Sequence, residues 1–308
     1  MRFELDPGKA KKTINFIDNV TYTTQTDLEG NPLEVKMALL LQNGNIEMRL
    51  ASGKDDELTK GRQRPIVWFN GAGWHHVDKN IMTAAMMYLA EHGYALIIAQ
   101  YRGSEKAKWP AQIEDAKTAI RFLQANADKY HLDTSKIGVI GRSAGGHLSS
   151  LLAMNTDEWI TDEYSEYSSE VQACVDMFGP ADMPRLHNAT LELLKDPNYR
   201  WHRPEQTHTG MLMGGDMDTV AERLESLSPM NLINEKICPM LILHGDEDPL
   251  IPVDVSEKFY EKIVEAGYGD QTDLCIIKHG GHGTREFFQD ATKQVILNFF
   301  DKYIGTEC

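Results

Sequence analysis

Three residues far apart in the chain are of the types that together make a hydroxyl nucleophilic. Ser143 lies in Gly141-Arg142-Ser143-Ala144-Gly145, Asp248 ends the run His244-Gly245-Asp246-Glu247-Asp248, and His282 sits in Gly280-Gly281-His282-Gly283. A serine hydroxyl is a weak nucleophile until a base takes its proton. An imidazole does this well when a carboxylate orients it and stabilises its cation. Glycine on both sides of Ser143 suits a sharp strand-to-helix turn, where side chains would collide with neighbouring backbone. Such a turn aims the hydroxyl outward and leaves the free N–H groups of a helix start beside the reacting carbonyl. Each residue alone also fits a plainer role: Ser143 in an ordinary turn, His282 as a turn histidine, Asp248 as a helix cap with Asp246 or Glu247 as the true partner. Three such residues at three strand ends, in the order serine, aspartate, histidine, favour the chemical reading.

A tetrahedral intermediate also needs donors for its oxyanion. The apolar run 65–69 leads straight into Gly71-Ala72-Gly73, so the N–H groups of Gly71 and Ala72, with that of Ala144, are the expected donors. Trp74, Trp109 and Trp201 lie in segments expected to reach the pocket, where an indole stacks on a sugar or holds a phenolic ring. His75 and His76 adjoin the same loop, but the sequence puts no carboxylate or further histidine at ligand spacing from them. No metal and no cofactor are expected.

The elements that position these residues follow from hydrophobic patterning. Apolar runs at 65–69, 94–99, 137–140, 171–178, 239–243 and 274–277 read as strands. Helical patterns at 80–91, 110–130, 147–154, 255–266 and a last stretch to about 303 alternate with them. This rhythm predicts an α/β fold, a mostly parallel sheet with helices on both faces and ligands at the carboxyl ends of its strands. Residues 14–26 and 33–41, around Glu29-Gly30-Asn31-Pro32, predict an antiparallel start. The polar stretch 42–64 reads as a surface insertion. The stretch 181–227, punctuated by Pro184, Pro197 and Pro204, reads as a cap or lid, and residues 1–308 as a single domain.

Bulk properties narrow the function classes. A chain of 308 residues that is 42% hydrophobic and 25% charged supports a large core. A formal net charge of -15 argues against nucleic acid or an anionic membrane as partner. No run reaches the ~18 apolar residues of a membrane span, and the first twelve residues lack a secretory pattern, so the expected location is cytoplasmic and the expected partner a small-molecule ester. The four cysteines are too far apart for a disulfide framework or zinc cluster, and Cys174 and Cys275 read as buried thiols.

The stretches NGAGW (70–74), WPAQIEDAKTAIRFL (109–123), GRSAGGH (141–147), HGDEDPLIP (244–252) and GGHG (280–283) resemble the α/β-hydrolase superfamily of serine esterases. More narrowly, the chain resembles the bacterial feruloyl-esterase-like and acetyl-xylan-esterase-like branch with an HGGGW-type oxyanion loop. That resemblance implies the α/β-hydrolase fold, with Ser143 as nucleophile, Asp248 and His282 as its partners, and Gly71, Ala72 and Ala144 as oxyanion donors. It also implies short acyl esters, acetyl or feruloyl, of plant-derived oligosaccharides as substrates. Asn70 and Ala72 stand where the loop usually has histidine and glycine; the backbone donors survive, while the side-chain hydrogen bonds of the loop must differ. Kynurenine formamidase-like aryl formamidases and serine peptidases resemble the same scaffold, as do non-catalytic binding proteins, which usually lose a member of the series that this chain keeps whole.

Overall fold

The apolar runs assemble into one sheet in the computed structural model, which describes residues 2–6, 13–42 and 61–305. Its strands are β1 (Asn15–Thr26), β2 (Pro32–Leu41), β3 (Pro65–Phe69), β4 (Ala95–Ala99), β5 (Gly138–Arg142), β6 (Ala173–Met177), β7 (Met240–Gly245) and β8 (Thr272–Ile277). They lie in the order β1-β2-β4-β3-β5-β6-β7-β8. β1 pairs antiparallel with β2, and β2 with β4, whereas the remaining pairs are parallel. β5 therefore sits in mid-sheet between β3 and β6, and its carboxyl end delivers Ser143.

The central strands read as unbroken apolar runs because both of their faces are covered. On β3, Val67 and Phe69 enter one buried cluster while Ile66 and Trp68 enter the other; on β4, Ala95, Ile97 and Ala99 alternate in the same way with Leu96 and Ile98. Helices Ala111–Ala125, Ala144–Ala153 and Asp254–Glu265 contribute Ile113, Leu148 and Phe259 to the first cluster. Helices Tyr88–His92 and Asp290–Ile304 supply Leu89, Ile296 and Phe300 to the second.

Two helix boundaries differ from expectation. The helix after Ser143 begins at Ala144 rather than 147, because the Ser143 carbonyl already accepts from the His147 N–H at 2.9 Å. The helix expected over 80–91 forms as Thr83–Met86 and Tyr88–His92; Met82, at φ 67, is left-handed and interrupts the helical run before Thr83. Within the supposed insertion at 42–64, residues 43–60 lie outside the described residues; at its base the Gln42 N–H donates to Gln63 Oε1 at 2.9 Å. The segment 181–227 is helical: Met183–Leu193, His208–Met213 and Val220–Glu225. Pro184 lies in a first turn, behind an Asp182 cap that accepts from the Arg185 N–H at 3.0 Å, so this proline starts a helix rather than breaking one. Met183, Leu212, Val220 and Leu224 are buried in the first cluster, which makes the segment a roof sharing the main core.

Cys174 and Cys238 are buried and Cys275 is half-buried, all as free thiols, while Cys308 lies outside the described residues. No described helix is long and apolar enough to cross a membrane.

One buried ion pair fixes the loop after β4 behind the site. Asp115, on the helix Ala111–Ala125, accepts from the Arg102 N–H at 2.8 Å and from Arg102 Nε at 2.9 and 3.0 Å. Both side chains are shielded from solvent, at 8% and 2% exposure. Removing one partner leaves a buried charge uncompensated. Arg102→Met is expected to lower stability by about 3–5 kcal/mol, and pairing it with Asp115→Leu to restore most of the loss. Urea denaturation of both variants checks this, and equal losses in the two would contradict it.

Candidate active site

The turn from β5 into the helix Ala144–Ala153 holds Ser143 at φ 51 and ψ -122, a conformation side chains rarely adopt. Its N–H donates to the Met177 carbonyl at 2.9 Å, tying the turn to the end of β6. The turn closes tightly against β3: a Cβ on Gly145 would overlap the Phe69 carbonyl oxygen. The loop after β3 approaches just as closely, since a Cβ on Gly71 would lie 2.6 Å from the Arg142 carbonyl oxygen and 2.8 Å from Ser143 Cβ.

The loops after β7 and β8 emerge on the same edge. Ser143 Oγ–H donates to His282 Nε2 at 2.9 Å, and His282 Nδ1–H donates to Asp248 Oδ2 at 2.7 Å. A carboxylate only accepts, so the proton on this imidazole belongs on Nδ1, leaving Nε2 free to accept from serine. The Asp248 side chain is fully buried, and its Oδ1 accepts from the Leu250 and Ile251 N–H groups at 2.8 and 3.0 Å. Burial by itself raises the Asp248 pKa. Hydrogen bonds from His244 and His282, the charge on His282 and the Ile251 N–H outweigh it and hold the carboxyl well below the usual carboxylate range.

The other carboxylates of that turn are engaged elsewhere. Asp246 accepts from the His279 N–H at 2.7 Å and pairs with Lys278 at 3.1 Å, and Glu247 lies 3.1 Å from His279 Nδ1. His244, part of the motif but given no role from sequence, is fully buried behind Asp248: its Nε2 is 3.3 Å from Asp248 Oδ2 and 2.8 Å from the Ile251 carbonyl. Ser256 Oγ–H donates to the opposite ring nitrogen at 2.7 Å.

Ser143 and His282 face a cavity of about 290 Å³, also lined by Gly71, Ala72, Trp74 and Trp201. Ala144 is the first helical residue after Ser143 and is buried. Trp74 is only 2% exposed, so it forms floor rather than rim. Trp201 comes from the roof, with the Arg200 guanidinium 3.9 Å from its ring centre and His208 edge-on at 4.6 Å. Burial, with Arg200 nearby, pushes His208 down to about 4. Trp109 does not reach the cavity. As the chain turns into the helix Ala111–Ala125, its indole packs instead against His147 at 5.9 Å and Trp159 at 5.4 Å.

Several pocket residues had no role in the sequence reading. Leu186, Thr190 and Leu193 descend from the roof helix Met183–Leu193, a 3–4 residue spacing hidden by Pro184. Arg142 also lines the cavity. Its Nε donates to Asn70 Oδ1 at 2.8 Å, and Asn70 Nδ2 donates to the Asp78 carbonyl at 3.0 Å. Asn70, at the usual histidine position of the loop, thus braces the residue before the nucleophile candidate. Finally, a carboxylate does stand beside His75 and His76: Glu105, from the loop after β4, lies within 4.8 Å of both as a potential ligand. Spacing along the chain misses it because it belongs to another strand end.

A family profile described as BD-FAE matches residues 56–263. Esterase LipC of Mycobacterium tuberculosis is 28% identical over 221 residues, covering 71% of this chain and 52% of that protein. The probable carboxylic ester hydrolase LipM of the same organism is 30% identical over 195 residues, covering 63% and 43%. The chain thus spans about half the length of the curated relatives it matches. Among solved structures, a truncated carbohydrate esterase from gut microbiota superposes with a TM-score of 0.73 at 26% identity, over 96% of this chain and 98% of the other. The sheet and its neighbours are those of the α/β-hydrolase fold.

The hydrogen bonds around the β7 turn rank its carboxylates. Asp248→Asn is expected to lower kcat on p-nitrophenyl acetate by on the order of 10⁴-fold, because an amide there favours the wrong imidazole tautomer. Asp246→Asn is expected to stay near wild type. Steady-state kinetics of the two variants decide it, and the opposite ranking would contradict the geometry.

Proposed function

The chain belongs to the BD-FAE family, and from that premise we propose that it is a serine carboxylesterase acting on short acyl esters of plant-derived oligosaccharides. The observation that carries the reading is the hydrogen-bonded series Asp248, His282, Ser143, opening on a cavity whose wall includes Gly71 and Ala72. In this mechanism Ser143 Oγ attacks the ester carbonyl while His282 Nε2 takes its proton. The N–H groups of Gly71, Ala72 and Ala144 receive the oxyanion, and the imidazolium returns the proton to the leaving alcohol. Water then repeats the sequence on the acyl-enzyme. Asp248, ionised throughout, stabilises the imidazolium without taking a proton itself.

Two features support the substrate class. The carbohydrate esterase that superposes on the chain carries a sugar-ester activity in its name. The cavity is small, at about 290 Å³, and mixes aromatic walls with polar groups, which suits an acetyl group and a sugar better than a long acyl chain. Trp201, from the roof, offers indole surface to a pyranose or a feruloyl ring, above a floor that includes Trp74.

Ser143→Ala is expected to reduce turnover by on the order of 10⁶-fold with an unchanged circular dichroism spectrum; activity near wild type in a pure preparation would sink the mechanism. For the substrate class, kcat/KM is expected to fall from p-nitrophenyl acetate to butyrate, octanoate and laurate. Each buried methylene adds only ~0.8 kcal/mol, and each one the pocket excludes carries a steric penalty. A maximum at octanoate or beyond would overturn the short-acyl reading. Acetylated xylo-oligosaccharides, methyl ferulate and N-formylkynurenine, assayed side by side, rank the sugar, hydroxycinnamoyl and formamide alternatives.

A further inference from the structure

The loops after β3 and β4 meet beside the cavity in a cluster that the esterase mechanism leaves unused. His75 Nδ1 is 3.3 Å from Glu105 Oε2, and His76 Nδ1 is 3.5 Å from Glu105 Oε1. A cation bound tetrahedrally with ~2.0–2.1 Å bonds separates its ligand atoms by ~3.3–3.4 Å; the His75 spacing falls on that edge, the His76 spacing, measured to the other carboxylate oxygen, lies just above it, and the three residues offer ligand atoms within 4.8 Å of one another. We propose that His75, His76 and Glu105 form a binding site for one divalent transition-metal cation, of which Zn²⁺ fits the two-imidazole, one-carboxylate donor set.

The backbone bends to make this cluster. Adjacent side chains usually diverge, but Trp74 at φ 58 and His76 at φ 49 are both left-handed, and the two imidazole rings lie 4.0 Å apart. A non-glycine residue in that region needs support from its surroundings, and here the His76 N–H donates to Glu105 Oε2 at 2.9 Å. Glu105 is held over Gly103, where a Cβ would overlap its carboxylate. Ser104 Oγ lies 3.1 Å from His75 Nδ1 and offers a further oxygen to the site. Lys108, close enough to act on His75, is turned away onto the Ser104 and Met211 carbonyls at 2.9 and 2.7 Å. The exposed His76 leaves one side open for ion entry and for water as a remaining ligand.

None of the three ligands lines the cavity, so the ion acts as a clamp and not as a Lewis acid on the ester. What it would clamp is the segment carrying the oxyanion donors. The His75 N–H donates to the Ala72 carbonyl at 3.1 Å, and the Ser104 N–H to the Trp74 carbonyl at 2.7 Å. A filled site therefore ties Gly71–Trp74 to the loop after β4, and ion binding raises the melting temperature with the logarithm of free ion once its concentration exceeds Kd.

Calorimetric titration of chelator-treated protein with Zn²⁺, alongside Co²⁺ as a spectroscopic probe, tests the site. The expected result is saturation at one equivalent, a visible absorption band from low-symmetry Co²⁺, and a melting temperature raised by several degrees. His76→Ala and Glu105→Gln should each weaken Zn²⁺ binding by at least ~10-fold, whereas His279→Ala, an exposed histidine elsewhere, should not. His76 is exposed, so its variant retains the fold, checked by the metal-free melting temperature. Absence of saturable binding, or binding equally strong in His76→Ala, would overturn the proposal.

Discussion

The site depends on the close approach of three backbone segments with no side chain between them. Ser143 keeps its left-handed backbone only because the helix that follows lies against the end of β3, with Gly145 on the Phe69 carbonyl and Gly71 against Ser143 itself. A strained residue of this kind costs on the order of 1–3 kcal/mol. The strain is offset by the hydrogen bond from the Ser143 N–H to Met177 and by burial of the whole helix Ala144–Ala153. What the molecule gains is a hydroxyl raised above the sheet edge, with a helix start directly beneath it.

Electrostatics complete what the backbone begins. Asp248 is buried and would be driven to protonate were it not held by two backbone N–H groups and two histidines. His244 is the less obvious of these. It is fixed by Ser256 and the Ile251 carbonyl, so it presents a rigid N–H toward the carboxylate while His282 remains the histidine that meets serine. Phe178, edge-on to His282 at 4.8 Å, limits where that ring can turn. Around Ser143 the same rigidity comes from Arg142 and Asn70, which join the residue before the serine to the loop that carries Gly71 and Ala72.

Much of this was legible in the sequence because the signals are local. Unbroken apolar runs give β3 through β7, and glycine around Ser143 gives the turn; strand ends then place Asp248 and His282 on one edge. The motif favoured Asp248 over Asp246 and Glu247 without showing why, since three carboxylates within one turn differ only in direction, which Lys278 and His279 help to set. Trp109 misled for a related reason: a loop tryptophan near a pocket carries no sign of which side it packs on. The roof was obscured by its prolines, which mark helix starts as readily as breaks. Glu105 and Arg142 escaped because their neighbours come from other strand ends, and spacing along one chain does not report contacts across a sheet.

The central claim is that Ser143 is an activated nucleophile, and covalent labelling reads this without any choice of substrate. Treatment with a fluorophosphonate followed by peptide mass spectrometry is predicted to place one phosphonyl group per chain on the peptide containing Ser143, with loss of esterase activity in step with labelling. An unlabelled Ser143 in folded protein, or a label on another residue with Ser143 unmodified, would contradict the account.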